Sequence, residues 1–192
     1  MLMHLLENYL LPILWIAFLV YWQAMAADVK ATQRVESAVS RVTRAVLFGA
    51  AIVLLSYPRI PVPWLYRHFL PEGYATFFGG AAITAAGLLF SVWARRHLGR
   101  NWSRSVTIKE GHELIVSGPY ALVRHPIYTG LLTGFLGTAV ATTEVRGALA
   151  FALVFISLWT KLRLEEQWMR AQFEQSYESY SRRVAMLVPF IL

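Results

Sequence analysis

Apolar and polar residues alternate along this chain in blocks, with long uncharged runs separated by short polar segments. The apolar runs cover residues 9–27, 45–57, 74–94, 127–143 and 147–160. A helix that crosses a hydrocarbon core of about 30 Å needs about 20 mostly apolar residues. We therefore predict an all-α integral membrane protein with about five transmembrane helices. Only residues 144–146 separate the last two runs, which predicts a C-terminal helical hairpin.

Several runs have features that refine this prediction. The first could be a cleaved signal peptide, which has a basic segment before a short apolar core. Here only His4 and Glu7 precede the run as titratable residues, and the run is longer than a typical signal core. We interpret it as a transmembrane helix. The second is short, and spans only if it starts near Val42 and tilts. The third is rich in Gly and Ala, which favours close packing, either within the chain or against a second copy. Residues 161–184 predict a cytoplasmic amphipathic helix.

Composition supports a membrane protein. Hydrophobic residues make up 57% of the 192 residues and charged residues only 15%, whereas a soluble domain carries about 25% charged residues. The absence of cysteine excludes disulfides, thiolate zinc sites and a cysteine nucleophile. No linker or repeat interrupts the chain, so we expect residues 1–192 to form a single membrane domain.

The positive charge of the chain is unevenly distributed. Its formal net charge is +7, which is compatible with nucleic-acid binding or with basic cytoplasmic loops. Segments 28–44, 95–126 and 161–192 hold 4, 6 and 5 Lys or Arg residues, which is 15 of the 18 in the chain. Because basic residues mark the cytoplasmic side, we expect the N-terminus outside, the C-terminus inside and no nucleic-acid partner. Both long polar segments then lie on the cytoplasmic face.

The first candidate for chemistry is the run Arg124-His125-Pro126-Ile127-Tyr128. Pro126 disfavours helix at the preceding residue and suits the first turn of the helix that follows. The run therefore lies at the mouth of the fourth helix, where unpaired N–H groups attract an anion. A basic interfacial flank with a proline start signal explains the same residues, and spacing does not decide between the two interpretations.

The second candidate is the pair Glu165 and Glu166 beyond the fifth run. A helix places Glu165 four residues from Lys161 and Glu166 three residues from Arg163. Surface salt bridges on an amphipathic helix are the alternative interpretation. The histidine spacing does not match a metal motif, and glycine-rich phosphate loops and a serine-hydrolase elbow are absent from the sequence. We therefore expect no metal.

Together these motifs resemble a known family. The run GHELIVSGPYALVRHPIYTG at 111–130 is followed about 35 residues later by Glu165-Glu166 and then by FEQSYESYSRRV. This layout resembles the isoprenylcysteine carboxyl methyltransferases, their prokaryotic relatives and the related phospholipid N-methyltransferases. The likeness covers roughly residues 98–189, and the GRNWS run at 99–103 resembles the prokaryotic branch. It implies a methyltransferase-like catalytic core at 95–192 and a bacterial inner-membrane location.

The resemblance also implies a site for S-adenosyl-L-methionine on the cytoplasmic face. Glu165 would hold the cationic amino group of the cofactor, with Glu166 nearby. The other residues implied to surround the cofactor are His112, Glu113, Leu114, Ile115, Tyr120, Arg124, His125, Pro126, Ile127 and Tyr128. The family commonly has Arg where this chain has Lys161, so the contact with the methyl acceptor is open between Lys161 and Arg163.

The acceptor itself is left open by the sequence. A carboxylate acceptor, such as the one on isoprenylcysteine, needs a cation to orient it and no base. A thiol, phenol or amine needs a proton removed, for which His125 or Glu166 is a candidate. Lipophilic acceptors would enter between helices from the membrane lipids, whereas small soluble ones would not need that route. The alternatives to a methyltransferase are an NADPH-dependent membrane reductase of the sterol reductase type and a non-catalytic membrane protein.

Overall fold

The computed structural model describes residues 2–25, 37–57, 60–99 and 114–189, with residues 2–5 described by backbone alone. Within these ranges the chain is helical and contains no strand, as predicted. Two short 3₁₀ helices, at Pro63–Tyr66 and Gly118–Ala121, precede the third and fourth α-helices. The α-helices are α1 (Leu2–Ala24), α2 (Ala38–Ser56), α3 (Tyr74–Leu98), α4 (Pro126–Thr142) and α5 (Val145–Ser181).

These helices correspond to the five apolar runs, but not all of them meet the criteria for a membrane span. In the described part of the chain, α2, α3 and α5 are long and apolar enough to cross a membrane. Helix α4 has 17 residues, fewer than the roughly 20 that a perpendicular span needs. Spanning by α1 and α4 therefore stays a prediction.

The second helix corrects the sequence boundaries. The apolar run begins at Ala45, and we expected it to span only if its helix began near Val42. Helix α2 begins still earlier, at Ala38, after Ser37 caps it by accepting a hydrogen bond from the Ser40 amide at 3.3 Å. Serine is favoured at this position because its hydroxyl satisfies an amide that the helix leaves unpaired. The cap extends the helix by one turn into the polar segment.

The fifth helix is longer than the predicted hairpin arm. It continues from the apolar run into the segment that we predicted as a cytoplasmic amphipathic helix, as far as the non-helical residue Glu174. The part of α5 before Glu174, residues 145–173, corresponds to about 44 Å at 1.5 Å per residue, which exceeds a hydrocarbon core of about 30 Å. Part of α5 must therefore extend beyond the membrane core. Glu174 has φ 41° and ψ −116° and bends the helix near its end.

Helices α3 and α4 form the most extensive interface, and glycines set its spacing. A Cβ on Gly87 would lie 2.5 Å from the Gly130 oxygen, and a Cβ on Gly80 would lie 2.6 Å from the Gly137 oxygen. No side chain fits at these points, so the two backbones touch directly. Gly80 and Gly87 thus pack within the chain, while a Cβ on the neighbouring Gly79 would meet nothing within 4 Å.

Candidate active site at the start of the fourth helix

The two candidate motifs meet where α4 begins beside the middle of α5. Pro126 occupies the first turn of α4, and His125 precedes it with φ −124° and ψ 62°, outside the helical region as Pro126 requires. The preceding turn depends on Gly118, which has φ +59° and whose Cβ would meet the His97 ring at 2.7 Å. The local sequence thus directs His125 and Tyr128 toward α5.

Glu165 lies at the centre of this meeting point. The Tyr128 hydroxyl donates to its Oε1 at 2.5 Å. The His125 Nδ1 lies 3.6 Å from Oε2, and the Lys161 Nζ lies 3.8 Å from Oε1. The Lys161 ammonium also lies 5.4 Å from the centre of the Tyr128 ring. Glu165 is therefore a partly exposed carboxylate with cations on two sides.

Glu166 has different surroundings, although it is the next residue. Arg124 donates to both of its oxygens, from Nε at 3.0 Å and from Nη2 at 3.3 Å. Its Oε1 also accepts from the His125 Nε2 at 2.8 Å and from the Tyr177 hydroxyl at 2.7 Å. Such a bidentate arginine pair with further donors is a strong, geometrically specific arrangement. Glu166 is buried and holds Arg124 and His125 in place.

The protonation of His125 follows from this environment. Burial by itself lowers the pKa of His125, but the carboxylates of Glu165 and Glu166 outweigh burial and raise the pKa above its ordinary value. The ring directs Nδ1 at Glu165 and Nε2 at Glu166, so the two carboxylates favour its protonated form. Burial and the nearby Glu165 carboxylate also raise the pKa of Tyr120, so its phenol remains protonated.

The segment after α5 returns to this point and supplies backbone carbonyls. The Arg124 amide donates to the Ala185 oxygen at 2.8 Å and the His125 amide to the Met186 oxygen at 3.1 Å. The Arg124 Nη1 donates to the carbonyls of Ser181 and Val184. With two further hydrogen bonds to Glu166, the Arg124 guanidinium has four protein acceptors. It therefore acts as a structural clamp between α4, α5 and the C-terminal segment.

A cavity of about 900 Å³ opens beside Glu165. One end is polar and is lined by Tyr120, His125, Tyr128, Lys161 and Glu165. The rest is mostly apolar and is lined mainly by α1, α2 and α4, with Glu7, Ser56, Thr138 and Thr142 among its polar residues. Its aromatic and aliphatic lining includes Trp15, Phe18, Trp22, Phe48, Ile52, Leu131 and Phe135. A cavity of this size and composition is typical of small-molecule and cofactor sites.

Most of the site residues that the sequence predicted line this cavity. Their roles in binding or catalysis stay predictions. The described ones that line it are Leu114, Ile115, Tyr120, Arg124, His125, Pro126, Ile127, Tyr128, Lys161 and Glu165. Arg163 is exposed and is not among the lining residues. Glu166 lies behind His125 rather than on the cavity wall. His112 and Glu113 lie outside the described residues. Among the described residues, no group of three His, Asp or Glu side chains could hold a metal ion.

Sequence reasoning assigned no role to several residues that complete the site. Tyr177 donates to Glu166, and the Tyr180 hydroxyl donates to the Tyr120 carbonyl at 2.6 Å. Both belong to the FEQSYESY run, where a spacing of three indicates one helix face but not its partner. Trp15 and Phe48 come from α1 and α2, whose sequences show only hydrophobicity, so no pattern indicated that they line the cavity.

The fold and the site define a helical membrane protein in which a His–Glu–Glu cluster, formed by His125, Glu165 and Glu166, adjoins a mostly apolar cavity. The sequence profile described as phospholipid methyltransferase matches residues 75–176, more than half of the 192. The chain belongs to this family. The matched region includes α3, α4 and most of α5, and so contains both halves of the cluster.

Individual relatives carry methyltransferase names. Protein-S-isoprenylcysteine O-methyltransferase B of Arabidopsis thaliana is 33% identical over 96 residues, covering 48% of this chain and 49% of the relative. The probable protein-S-isoprenylcysteine O-methyltransferase of Oryza sativa subsp. indica is 31% identical over 125 residues, covering 64% and 65%. Methanethiol S-methyltransferase 2 of Bradyrhizobium diazoefficiens is 41% identical over 71 residues, covering 36% and 26%. The chain thus spans less than two thirds of the length of each of these relatives.

Proposed function

We propose that this protein is an integral membrane methyltransferase that uses S-adenosyl-L-methionine and methylates a lipophilic acceptor, with an isoprenylcysteine-like carboxylate as the favoured group. The observation that carries the proposal is Glu165, a carboxylate at the junction of the polar end and the apolar part of one cavity. Family membership supports the reaction class, and the cavity supports a cofactor and an acceptor that meet beside Glu165.

The donor set fits the cofactor. S-adenosyl-L-methionine carries an amino cation, a carboxylate and a sulfonium, so its site needs both acidic and basic groups. A carboxylate accepts up to about four hydrogen bonds. Of the Glu165 contacts described above, only that with His125, at 3.6 Å, involves Oε2. Oε2 therefore has capacity for the amino cation, while Tyr120 and Tyr128 supply walls and donors. Arg124 contributes by fixing His125, since its guanidinium is already bonded to protein groups.

We favour a carboxylate acceptor because the described cavity residues offer no good base. Both ring nitrogens of His125 face carboxylates, which raise its pKa above the ordinary value and make it a poor base, and Glu166 already accepts from three side chains. A carboxylate acceptor needs no base, because its oxygen forms the bond to the methyl carbon without losing a proton. When bound, S-adenosyl-L-methionine supplies that methyl on a sulfonium sulfur, which keeps the electron pair of the broken bond. Lys161 lies where it would orient the acceptor carboxylate, and correct placement can supply much of the rate.

The site would lie on the cytoplasmic face of a bacterial inner membrane, with the N-terminus outside. The basic segments support this orientation, and the cytoplasm is the compartment in which the cofactor is made. Residues 95–192 would form the catalytic core, because they hold every side chain of the His–Glu–Glu cluster.

Calorimetric titration of the purified protein with S-adenosylhomocysteine, with NADPH in parallel, tests the proposal. We expect binding of S-adenosylhomocysteine and no binding of NADPH. Glu165→Gln should weaken the affinity about 10- to 100-fold, the effect of losing a charged hydrogen bond. Glu178→Gln, on the same helix and outside the cavity lining, is the control and should bind normally. NADPH binding alone would favour a reductase, and no binding to folded protein would favour a non-catalytic role.

A further inference from the structure

The apolar part of the cavity extends far from Glu165. Its lining on α4 continues from Tyr128, beside Glu165, to Thr142, and its lining on α1 extends from Trp22 to Glu7. Fourteen residues separate Tyr128 from Thr142, which corresponds to about 21 Å at 1.5 Å per residue. This is roughly two thirds of a hydrocarbon core of about 30 Å. The cavity is therefore long enough for an extended lipid chain that lies parallel to α4.

Trp15 of α1 bridges this cavity to α4. Its indole Nε1 donates to the Thr138 Oγ1 at 3.0 Å, and its ring centre lies 4.6 Å from that of Phe135. The Thr138 hydroxyl in turn donates to the Gly134 carbonyl at 2.9 Å and lies 3.3 Å from the Thr84 Oγ1. Thr138 is buried, with 5% of its surface exposed. This chain of hydrogen bonds fixes the orientation of the Trp15 ring.

The position of this bridge divides the cavity. Ten residues separate Tyr128 from Thr138, so the bridge lies about 15 Å from the polar end. A Cβ on Gly134 would lie 3.5 Å from two atoms of the Trp15 ring, so the ring fits closely against α4 on that side. Residues beyond the bridge, including Leu11 and Thr142, still line the cavity. The Phe135 ring, which contacts Trp15, also lies 6.1 Å from the Phe48 ring of α2, so rings from α1, α4 and α2 meet at this level within a longer space.

We propose that Trp15, held by Thr138, is a specificity-determining residue that selects single-chain lipid carboxylates whose extended chain ends about 15 Å from the head group. This inference rests on the proposed function and names its substrate class. The polar end offers the Lys161 ammonium to an anionic head group, and the mostly apolar lining accepts one chain. A chain that reaches past the bridge has to displace the indole from its hydrogen bond and its contact with Phe135.

The selection is steric. A lipid acceptor comes from the bilayer, which is as apolar as the cavity. Transfer of a longer chain from the bilayer into the cavity therefore adds little favourable free energy. Misfit in a packed apolar site discriminates about 10-fold or more for a group as small as one methylene. We therefore expect a chain-length cutoff at the bridge rather than a steady increase of affinity with length.

Photolabelling tests the position of the chain without requiring catalysis. The probes are dodecyl and hexadecyl carboxylates with a diazirine at the chain terminus, added to the full-length protein in nanodiscs. With the dodecyl probe we expect labels on Trp15, Phe135 and neighbouring cavity residues, mapped by mass spectrometry. Labels confined to lipid-facing residues such as Leu89 and Ile156 would overturn the inference.

Variants test the selection itself. Trp15→Ala should raise the ratio of hexadecyl to dodecyl labelling about 10-fold. Thr138→Val keeps the volume but removes the hydrogen bond, and should raise the ratio by a smaller factor. Trp93→Ala is the matched control, because Trp93 is exposed and outside the cavity lining. An unchanged ratio in both folded variants would contradict the inference, and the Thr138 variant keeps the test valid if Trp15→Ala does not fold.

Titration with S-adenosylhomocysteine on the same samples separates the two proposals. Normal cofactor binding with an unchanged labelling ratio would refute the role of Trp15 and leave the methyltransferase assignment standing. A shifted ratio without cofactor binding would support the chain site and refute the proposed function.

Discussion

Two adjacent glutamates have different surroundings because consecutive residues of a helix point about 100° apart. Glu165 faces the cavity and contacts Tyr128 and Lys161. Glu166 faces Arg124 and Tyr177. His125 lies between them and contacts both. One carboxylate is thus available to a ligand, while the other organises the residues that surround it.

The charge of His125 predicts a pH dependence of stability. Because the folded pKa of His125 lies above the ordinary value of 6.5, its protonated form contributes stability that is fully present below about pH 6.5. That contribution is lost as the pH rises through the folded pKa. Its size is about 1.4 kcal/mol for each tenfold difference in proton affinity between the folded and unfolded states. The groups that face His125 are Glu165, Glu166, Arg124 and Tyr128. The measurement is the melting temperature of wild type and His125→Asn in detergent from about pH 6 to pH 9.

We expect the advantage of wild type over His125→Asn to shrink as the pH rises. An advantage that grows with pH would mean that His125 is neutral in the folded protein, and would remove the argument against a base at this position.

Lys161 and Arg163 provide a second test at the level of single residues. Lys161 lines the cavity, whereas Arg163 is exposed and outside the lining. Lys161→Met should lower kcat about 10- to 100-fold, because an acceptor carboxylate would lose its orienting charge. Affinity for S-adenosylhomocysteine should change less than threefold. Arg163→Met is the matched control and should leave both quantities unchanged. A loss of turnover in the Arg163 variant alone would assign the acceptor contact to that residue.

At the level of elements, the site depends on the position of α4 relative to its neighbours. Glycine contacts hold α4 against α3, and the Ser91 hydroxyl donates to the Ile127 carbonyl at 3.0 Å. The C-terminal segment binds the start of the same helix, where the Thr129 hydroxyl donates to the Leu187 carbonyl at 2.7 Å. The orientation of His125 thus depends on contacts with distant parts of the chain.

Gly79 and Gly80 predict opposite effects of the same substitution. Gly80→Ala should destabilise the protein by about 1–3 kcal/mol, because the added methyl group would force α3 away from α4. Gly79→Ala should have no effect or stabilise slightly, because its Cβ would meet nothing within 4 Å. Unfolding midpoints in mixed detergent micelles compare the two variants. Equal destabilisation would mean that Gly79 packs against another molecule, such as a second copy.

At the level of the whole molecule, the side of the membrane that holds the site remains a prediction from charge. The chain has no cysteine, so single cysteines report topology without background. Pro71→Cys precedes α3 and Ser179→Cys lies near the end of α5, and both positions are exposed. In spheroplasts, a membrane-impermeant maleimide should label the first variant at least tenfold more than the second. After lysis it should label both, and the reverse pattern in intact cells would reverse the orientation.

The sequence by itself determined the class of the protein and the two halves of its site. Uncharged runs of membrane length predicted the helices, because a lipid environment leaves the backbone few alternatives. Pro126 predicted the start of α4, since proline restricts the residue before it. The quoted motifs predicted the phospholipid methyltransferase layout, and the residues that carry it are close enough in sequence for their spacing to be informative.

The tertiary structure decided which side chains share the site. Arg124 contacts Glu166 across 42 positions and the Val184 carbonyl across 60, and no local pattern encodes such pairings. The difference between Glu165 and Glu166 depends on how α5 is rotated against α4, which the sum of many packing contacts sets. Trp15 looks like any other apolar residue in the sequence. Only the close approach of α1 to α4 reveals that it lies across the cavity, because packing in three dimensions determines which apolar residues enclose a space.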